Sequence, residues 1–299
     1  MEFRRAMRSF RYLIAVIACA LCAASARAQV SAAVQASTTA QGSAGAHGLA
    51  RLAPRTLIEK RLKAFSDDNQ VREDIIRSWL AASGCSNLTE EPVRFGSPPN
   101  VICVLPGETQ EVIVVGAHTD KVTKAGDGVV DNWSGASLLP SLVFSLSAQK
   151  RRHTFVFVGF MGEETGLIGS GYYVDHLSQD RLRHIEAMVN VDSLGLTSTK
   201  VWASHADKAL LDALAMVSST SKIPVSTANV DNVATADSES FATYRIPRIT
   251  LHSVTPETMH VLHSADDKLA AVNMDDYYDS YRLIADYLAY LDRVLTHSR

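Results

Sequence analysis

The sequence predicts an α/β fold: a single doubly wound, mostly parallel central sheet with helices on both faces. Three observations carry this. The runs Glu111-Val-Ile-Val-Val115, His153-Thr-Phe-Val-Phe-Val-Gly159 and Ile185 to Val191 are predominantly apolar, as expected of strands covered on both sides. Segments of helical periodicity separate them, as in parallel strand–helix–strand crossovers. The chemically distinctive residues His118, Glu163, Glu164 and Asp192 follow directly from such runs, which gathers them at one edge of a sheet.

From the N-terminus, residues 1–28 are expected to be a signal peptide. Arg4, Arg5, Arg8 and Arg11 form a basic start, Tyr12 to Ala24 an apolar centre, and Ala26-Arg-Ala28 a small-residue cleavage site. The apolar stretch is short for a membrane span, and no later segment comes close. Export to the periplasm or medium is therefore expected. The sequence Val16-Ile-Ala-Cys19 weakly resembles a lipobox, so lipid anchoring at Cys19 is the alternative. Residues 29–52 are Ala, Ser, Gln, Thr and Gly with few large apolar side chains, too little to offset ordering entropy; a disordered leader is expected. Residues 53–299 show no internal repeat and no interdomain linker, so one catalytic domain is expected there.

Within that domain Pro54 opens a helix over Arg55 to Phe65. A second spans Asn69 to Ala82, with Val71, Ile75, Ile76 and Leu80 near helical spacing and Gly84 ending it. Strands are expected at Val93-Arg-Phe95 and Asn100 to Leu105, then at Glu111 to Val115. Trp133 to Ala148 reads as one helix, His153 to Gly159 as a strand, Leu167 to Leu177 as a helix, and Ile185 to Val191 as a strand. A short strand at Val201-Trp-Ala203 precedes a helix from Asp207 to Ser218. A strand at Arg248 to Leu251 and a long closing helix, Met274 to Thr296, complete the order.

Charge and cysteine usage fit export. Residues 1–28 carry five Arg and one Glu; without them the 29 Lys+Arg and 32 Asp+Glu become 24 and 31, a net charge of −7. That disfavours a nucleic-acid partner. Only Cys85 and Cys103 then remain. They form either a disulfide, which in an oxidising compartment contributes roughly 3 kcal/mol, or two buried thiols; the disulfide is the favoured reading.

His118, Asp131, Asp192, His263 and one of the pair Glu163 and Glu164 are the candidate metal ligands. Imidazole and carboxylate donors in this mixture suit Zn²⁺, and five of them fit two ions sharing one carboxylate better than one crowded ion. A metal pair can polarise a carbonyl and activate water, so a metal hydrolase is expected. Glu163 and Glu164, on a locally extended backbone, diverge: one can bind metal while the other acts as general base. Asp120 is placed to fix the tautomer of His118. Taken singly each residue has a blander role: Asp131 or Asp192 as a capping residue, the Glu pair as surface charge, His263 as one of several late histidines beside His252 and His260. Their joint order at strand ends favours the site.

At these residues the chain resembles the secreted zinc-dependent aminopeptidases and their relatives, which include glutamate carboxypeptidase, the catalytically silent transferrin receptor ectodomain and the glutaminyl cyclases. The motifs are Ala-His118-Thr-Asp120, Val-Asp131-Asn-Trp-Ser-Gly-Ala, Gly-Glu163-Glu164-Thr-Gly-Leu-Ile-Gly-Ser, Val-Asn-Val-Asp192 and His263-Ser-Ala-Asp-Asp267. The resemblance implies that His118 and Asp192 hold one zinc, Glu164 and His263 the other, and Asp131 bridges both. It makes Glu163 the general base and acid and Asp120 an orienting residue. A cis Asp131-Asn132 peptide is implied as well. Leu262 stands where some relatives have an oxyanion-stabilising tyrosine. In Thr235-Ala-Asp237-Ser-Glu-Ser-Phe241, which resembles a pocket motif, Glu239 stands where a histidine often occurs; Asp237 is a candidate substrate-binding residue.

The expected activity is removal of residues from free peptide N-termini. The alternatives are a carboxypeptidase, a dipeptidase or a one-zinc glutaminyl cyclase on the same fold, or a non-catalytic binding protein. Filled ligand positions disfavour the last two. Lys121 and Lys124, in the loop after Asp120, are the basic residues nearest the ligand motifs that a carboxypeptidase would need.

Overall fold

The computed structural model describes residues 49–93, 97–122, 125–231 and 233–296. The signal peptide, most of the expected leader and Lys124 lie outside the described residues. Leu49 to Leu52, expected to be disordered, are instead held: the Leu49 and Ala50 amides donate to Asp286 at 2.8 and 2.9 Å, and the Arg51 guanidinium lies over the Phe144 ring.

Among the described residues, eight strands, together with eight α-helices that each have at least five residues, carry the fold. In order they are α1 (Arg55–Leu62), α2 (Asn69–Ala82), β1 (Asn87–Glu91), β2 (Asn100–Leu105), β3 (Val112–His118), α3 (Leu139–Ser147), β4 (Thr154–Phe160), α4 (Ile168–Asp175) and α5 (Gln179–His184). Then come β5 (Ile185–Val191), β6 (Lys200–Val201), α6 (Lys208–Ser221), β7 (Ser226–Thr227), α7 (Ser238–Ala242), β8 (Arg248–His252) and α8 (Met274–Val294). The sheet order is β1-β2-β4-β3-β5-β8-β6-β7. β4, β3, β5 and β8 are parallel neighbours; the pairings β1/β2, β2/β4 and β6/β8 are antiparallel.

Alternation along the central strands feeds two cores. Val114, Val156 and Met188 face Tyr173 and Val174 of α4 and Phe241 of α7. Ile113, Val115, Phe155 and Val189 face the opposite way, with Ile76 of α2, Leu142 of α3 and Leu288 of α8. Burial on both faces explains why these strands read as largely apolar runs without strict alternation.

Three local expectations are corrected. The helix expected over Trp133 to Ala148 is broken into Ser134–Ala136 and α3, because Pro140 has no N–H to continue the helical ladder. No strand contains Val93, and Arg94 and Phe95 lie outside the described residues; the edge strand is β1, whose polar sequence NLTEE hides it. Glu163 and Glu164 sit in a tight 3₁₀ turn, Glu163–Thr165, rather than on extended backbone. Successive side chains still diverge there, by about a third of a turn. The Cys85–Cys103 pair is a disulfide joining the end of α2 to β2.

Candidate metal centre

The site lies at the carboxyl ends of β3, β4 and β5. His118 is the last residue of β3, and Asp192 follows β5. After β4 the chain reverses through Gly162, at φ 84°, which a side chain would strain, and this turn delivers the glutamate pair. Asp131 lies in the turn Val129–Trp133, where Asp131 and Asn132 leave helical geometry and are joined by a cis peptide bond. The Asn132 side chain locks this turn to β5: its amide donates to the Val191 carbonyl at 2.9 Å, and its oxygen accepts the Gly135 and Ser193 amides. A Cβ at Gly135 would sit 2.3 Å from the Val191 carbonyl oxygen, so only glycine permits this approach.

Asp131 divides its carboxylate between two histidines. Oδ1 lies 3.1 Å from His118 Nε2, and Oδ2 lies 3.2 Å from His263 Nε2. Glu164 Oε2 is 2.9 Å from the same His263 nitrogen, and Asp192 Oδ1 is 3.6 Å from His118 Nε2. The structure thus brings all five candidate ligands together, in two overlapping groups that meet at Asp131. Donor atoms of His118, Asp131 and Glu164 all fall within 4.8 Å of one another.

Asp120 meets His118 Nδ1 with its backbone as well as its side chain. The nearest acceptor to His118 Nδ1 is the Asp120 backbone carbonyl, at 3.1 Å, with the carboxylate at 3.6 Å. That carboxylate accepts the Glu163 and Glu164 amides at 3.2 and 3.3 Å, so Asp120 fastens the glutamate turn to β3. Asp267 plays the matching part for the other loop, accepting the Val130 and Asp131 amides at 2.7 and 3.1 Å. Its position in the late His-Ser-Ala-Asp-Asp motif was the available signal, but a carboxylate serving backbone amides leaves no pattern of its own.

The electrostatics favour added positive charge. Burial opposes protonation of His118, but Asp192, Asp120 and Asp131 outweigh it and raise its pKa well above the ordinary value. Hydrogen bonds to Asp131 and Glu164 push His263 up to about 10. Burial opposes charge on Asp131 as well, yet the two imidazoles hold it below the ordinary carboxylate range. Burial, reinforced by Asp237, Asp192 and Asp131, pushes Glu163 up to about 9. Burial also raises Glu164, whose Oε1 is enclosed without a hydrogen-bond partner. These residues fit a divalent cation: buried carboxylates with a spare oxygen, and imidazoles drawn toward the charged form.

Asp237 is fully buried, burial pushes its pKa up to about 7, and neither oxygen has a hydrogen-bond partner. It does not line the substrate-sized cavity, although Thr235 and Ala236 beside it do. Glu239 is turned away too, pairing with His205 at 2.9 Å and with Arg248.

The centre opens into a cavity of about 690 Å³. One wall carries His118, Asp131, Glu163, Glu164, Asp192 and His263; the other is apolar, with Trp202, Val230, Val254, Met259 and Leu262. The apolar wall was not foreseen, because it comes from irregular segments with no periodicity to read. Among the described residues no lining side chain is Lys or Arg. Lys121 Nζ is engaged elsewhere, by Asp67 at 2.9 Å and the Gly126 carbonyl at 2.8 Å.

Comparison with known proteins agrees with this geometry. The family described as peptidase family M28 matches residues 100–288. Aminopeptidase YwaD of Bacillus subtilis (strain 168) is 36% identical over 90 residues, which cover 30% of this chain and 20% of that protein. The alignment therefore spans about a fifth of that relative's length. The LapA aminopeptidase of Legionella pneumophila superposes with a TM-score of 0.68 at 19% identity, covering 81% of this chain and 71% of that one. BSAP, a zinc aminopeptidase from Bacillus subtilis, gives 0.58 at 21%, covering 64% and 49%. At such identities these superpositions speak for the fold.

Proposed function

Because this chain belongs to peptidase family M28, we propose that it is an exported di-zinc aminopeptidase that hydrolyses the first peptide bond of substrates with a free N-terminus. One observation carries the choice of peptide end. The cavity offers carboxylates, the histidines of the metal centre and apolar side chains, and among the described residues no lysine or arginine to receive a C-terminal carboxylate. A free ammonium group is suited to such a lining; a free carboxylate would be repelled.

His118 and Asp192 would hold one zinc, Glu164 and His263 the other, with Asp131 shared. Bound zinc supplies Lewis-acid polarisation of the scissile carbonyl and lowers the pKa of an attacking water. The protein's own part is positional and protic. Glu163 faces the cavity with a carboxylate of raised proton affinity; nearby cations would lower that affinity toward neutral pH, the useful range for a group that takes a proton from water and returns it to the leaving amine. Asp120 holds Glu163 in place through the backbone rather than by touching substrate. Export is consistent with the Cys85–Cys103 bridge, which suits an oxidising compartment. Among the described residues no helix is long and apolar enough to cross a membrane.

The test uses free and N-acetylated amino-acid 4-nitroanilides with purified protein, before and after metal stripping and with zinc restored. Turnover of free amines alone, lost on stripping and regained with about two zinc ions per chain, supports the proposal. Equal turnover of the acetylated substrates would overturn it. Mass analysis of exported protein beginning at Gln29 tests the signal peptide.

A further inference from the structure

Leu262 packs against the larger core, but the part of the apolar wall around Trp202 stands apart from the main cores. Trp202, Val230 and Ala236 form a separate small cluster, with Ala234 and Met259 packed against it. A cluster of this size carries little stability by itself, so its geometry depends on what fastens it. Trp202 is fully enclosed on one side and lines the cavity on the other. Its ring stacks on His205, with centroids 4.3 Å apart and planes 15° apart.

Asp231, the residue after Val230, ties this arrangement together. Its Oδ1 accepts the Trp202 indole N–H at 3.2 Å and the Ser204 hydroxyl at 2.7 Å, and lies 3.0 Å from His205 Nε2. The other His205 nitrogen faces Glu239, which Arg248 at the start of β8 grips through two guanidinium nitrogens at 3.3 Å. A chain of contacts therefore runs from the sheet to the cavity wall: Arg248, Glu239, His205, Asp231, Trp202. Val233 and Ala234, which also line the cavity, hang from the same point, since both amides donate to the Val230 carbonyl.

We propose that Asp231 is a positioning residue for substrate selection, fixing Trp202 and Val230 as the wall that receives a large apolar side chain on the substrate's N-terminal residue. This rests on the aminopeptidase proposal above. Asp231 touches no reacting group. It acts by keeping the wall at one distance from the metal centre, so its loss affects substrates that reach the wall and spares those that do not.

The experiment compares wild type, Asp231→Ala and Asp231→Asn on leucine and alanine 4-nitroanilides, and measures amide exchange at Val233 and Ala234 in each. Asp231 is partly exposed, so the variants are expected to fold. In Asp231→Ala, exchange at the two amides accelerates, and KM for the leucine substrate rises by roughly tenfold while kcat and the alanine KM change little. Asp231→Asn keeps an oxygen for Trp202 and Ser204 and restores both readouts. Unchanged exchange in Asp231→Ala overturns the pinning role. Accelerated exchange with no leucine-selective rise in KM overturns the selection role. If wild type turns over neither substrate, the aminopeptidase proposal fails and the selection role with it, while exchange still decides the pinning.

Discussion

Asp267 Oδ2 accepts the backbone N–H of Asp131 at 3.1 Å, so the loop that carries His263 also holds the loop that carries the shared carboxylate. Asp267 Oδ1 takes the neighbouring Val130 amide at 2.7 Å. Both amides are buried, and removing the carboxylate leaves them unpaired at the point where Asp131 is aimed. Asp267→Ala is expected to weaken zinc binding by about 10- to 100-fold, the usual cost of losing a group that orients a ligand. Competition with a chromophoric chelator measures this; an unchanged affinity would mean that Asn132 alone holds the turn.

Glu164 pairs with His263, whereas among the described residues Glu163 forms no ion pair with a histidine, although it lines the same cavity. Replacing it should therefore separate chemistry from metal binding. Glu163→Ala is expected to lower kcat by roughly 10³-fold, within the range for loss of a general base, with zinc content unaltered. Zinc analysis beside the kinetics checks both halves; a large loss of zinc would make Glu163 a ligand.

The legible part of the molecule was the part with a pattern. α2, β2 and β5 have the residue limits expected from hydrophobic periodicity, and the ligand candidates follow strands because an α/β sheet presents its strand ends at one edge. β1 was illegible because it is a polar edge strand, and the break before α3 because Pro140 was outweighed by the apolar run around it. The fastening roles of Asp120 and Asp267 depend on backbone amides, which every residue has. The Trp202 wall joins residues distant in sequence, so only the folded chain brings them together.

The Cys85–Cys103 disulfide spans 18 residues and ties the end of α2 to β2. Closing a loop of that length stabilises the fold by about 3 kcal/mol through the unfolded chain. The Cys85→Ser, Cys103→Ser double variant should lose about this much in urea unfolding. Since the bridge lies away from the metal centre, kcat at low temperature should be unaltered. A parallel loss of activity under conditions where the variant is fully folded would show that α2 influences the site directly.

His153 offers a pH test remote from the metal ligands. It is fully buried, with Nδ1 3.1 Å from Asp292 Oδ1 and Nε2 2.9 Å from Glu186 Oε2, and so joins α8 to the starts of β4 and β5. Burial opposes its charge, but Asp292 and Glu186 outweigh burial and raise its pKa above the ordinary 6.5. Burial likewise opposes charge on Asp292, yet the hydrogen bonds from His153 and the Arg152 amide lower its pKa below 3.8. A raised histidine contributes its stability in full below the unfolded value of 6.5 and loses it as pH climbs through the folded value. A lowered carboxylate contributes above 3.8 and loses it as pH falls through its folded value. The contact is therefore complete between 3.8 and 6.5. In the metal-free protein, His153→Gln should cost about 3 kcal/mol in this window, since it breaks a buried pair. The difference from wild type should shrink as pH rises above 6.5 and passes through the raised folded-state value. Urea titrations of both proteins across that range decide it; a difference independent of pH would show that His153 contributes through packing alone.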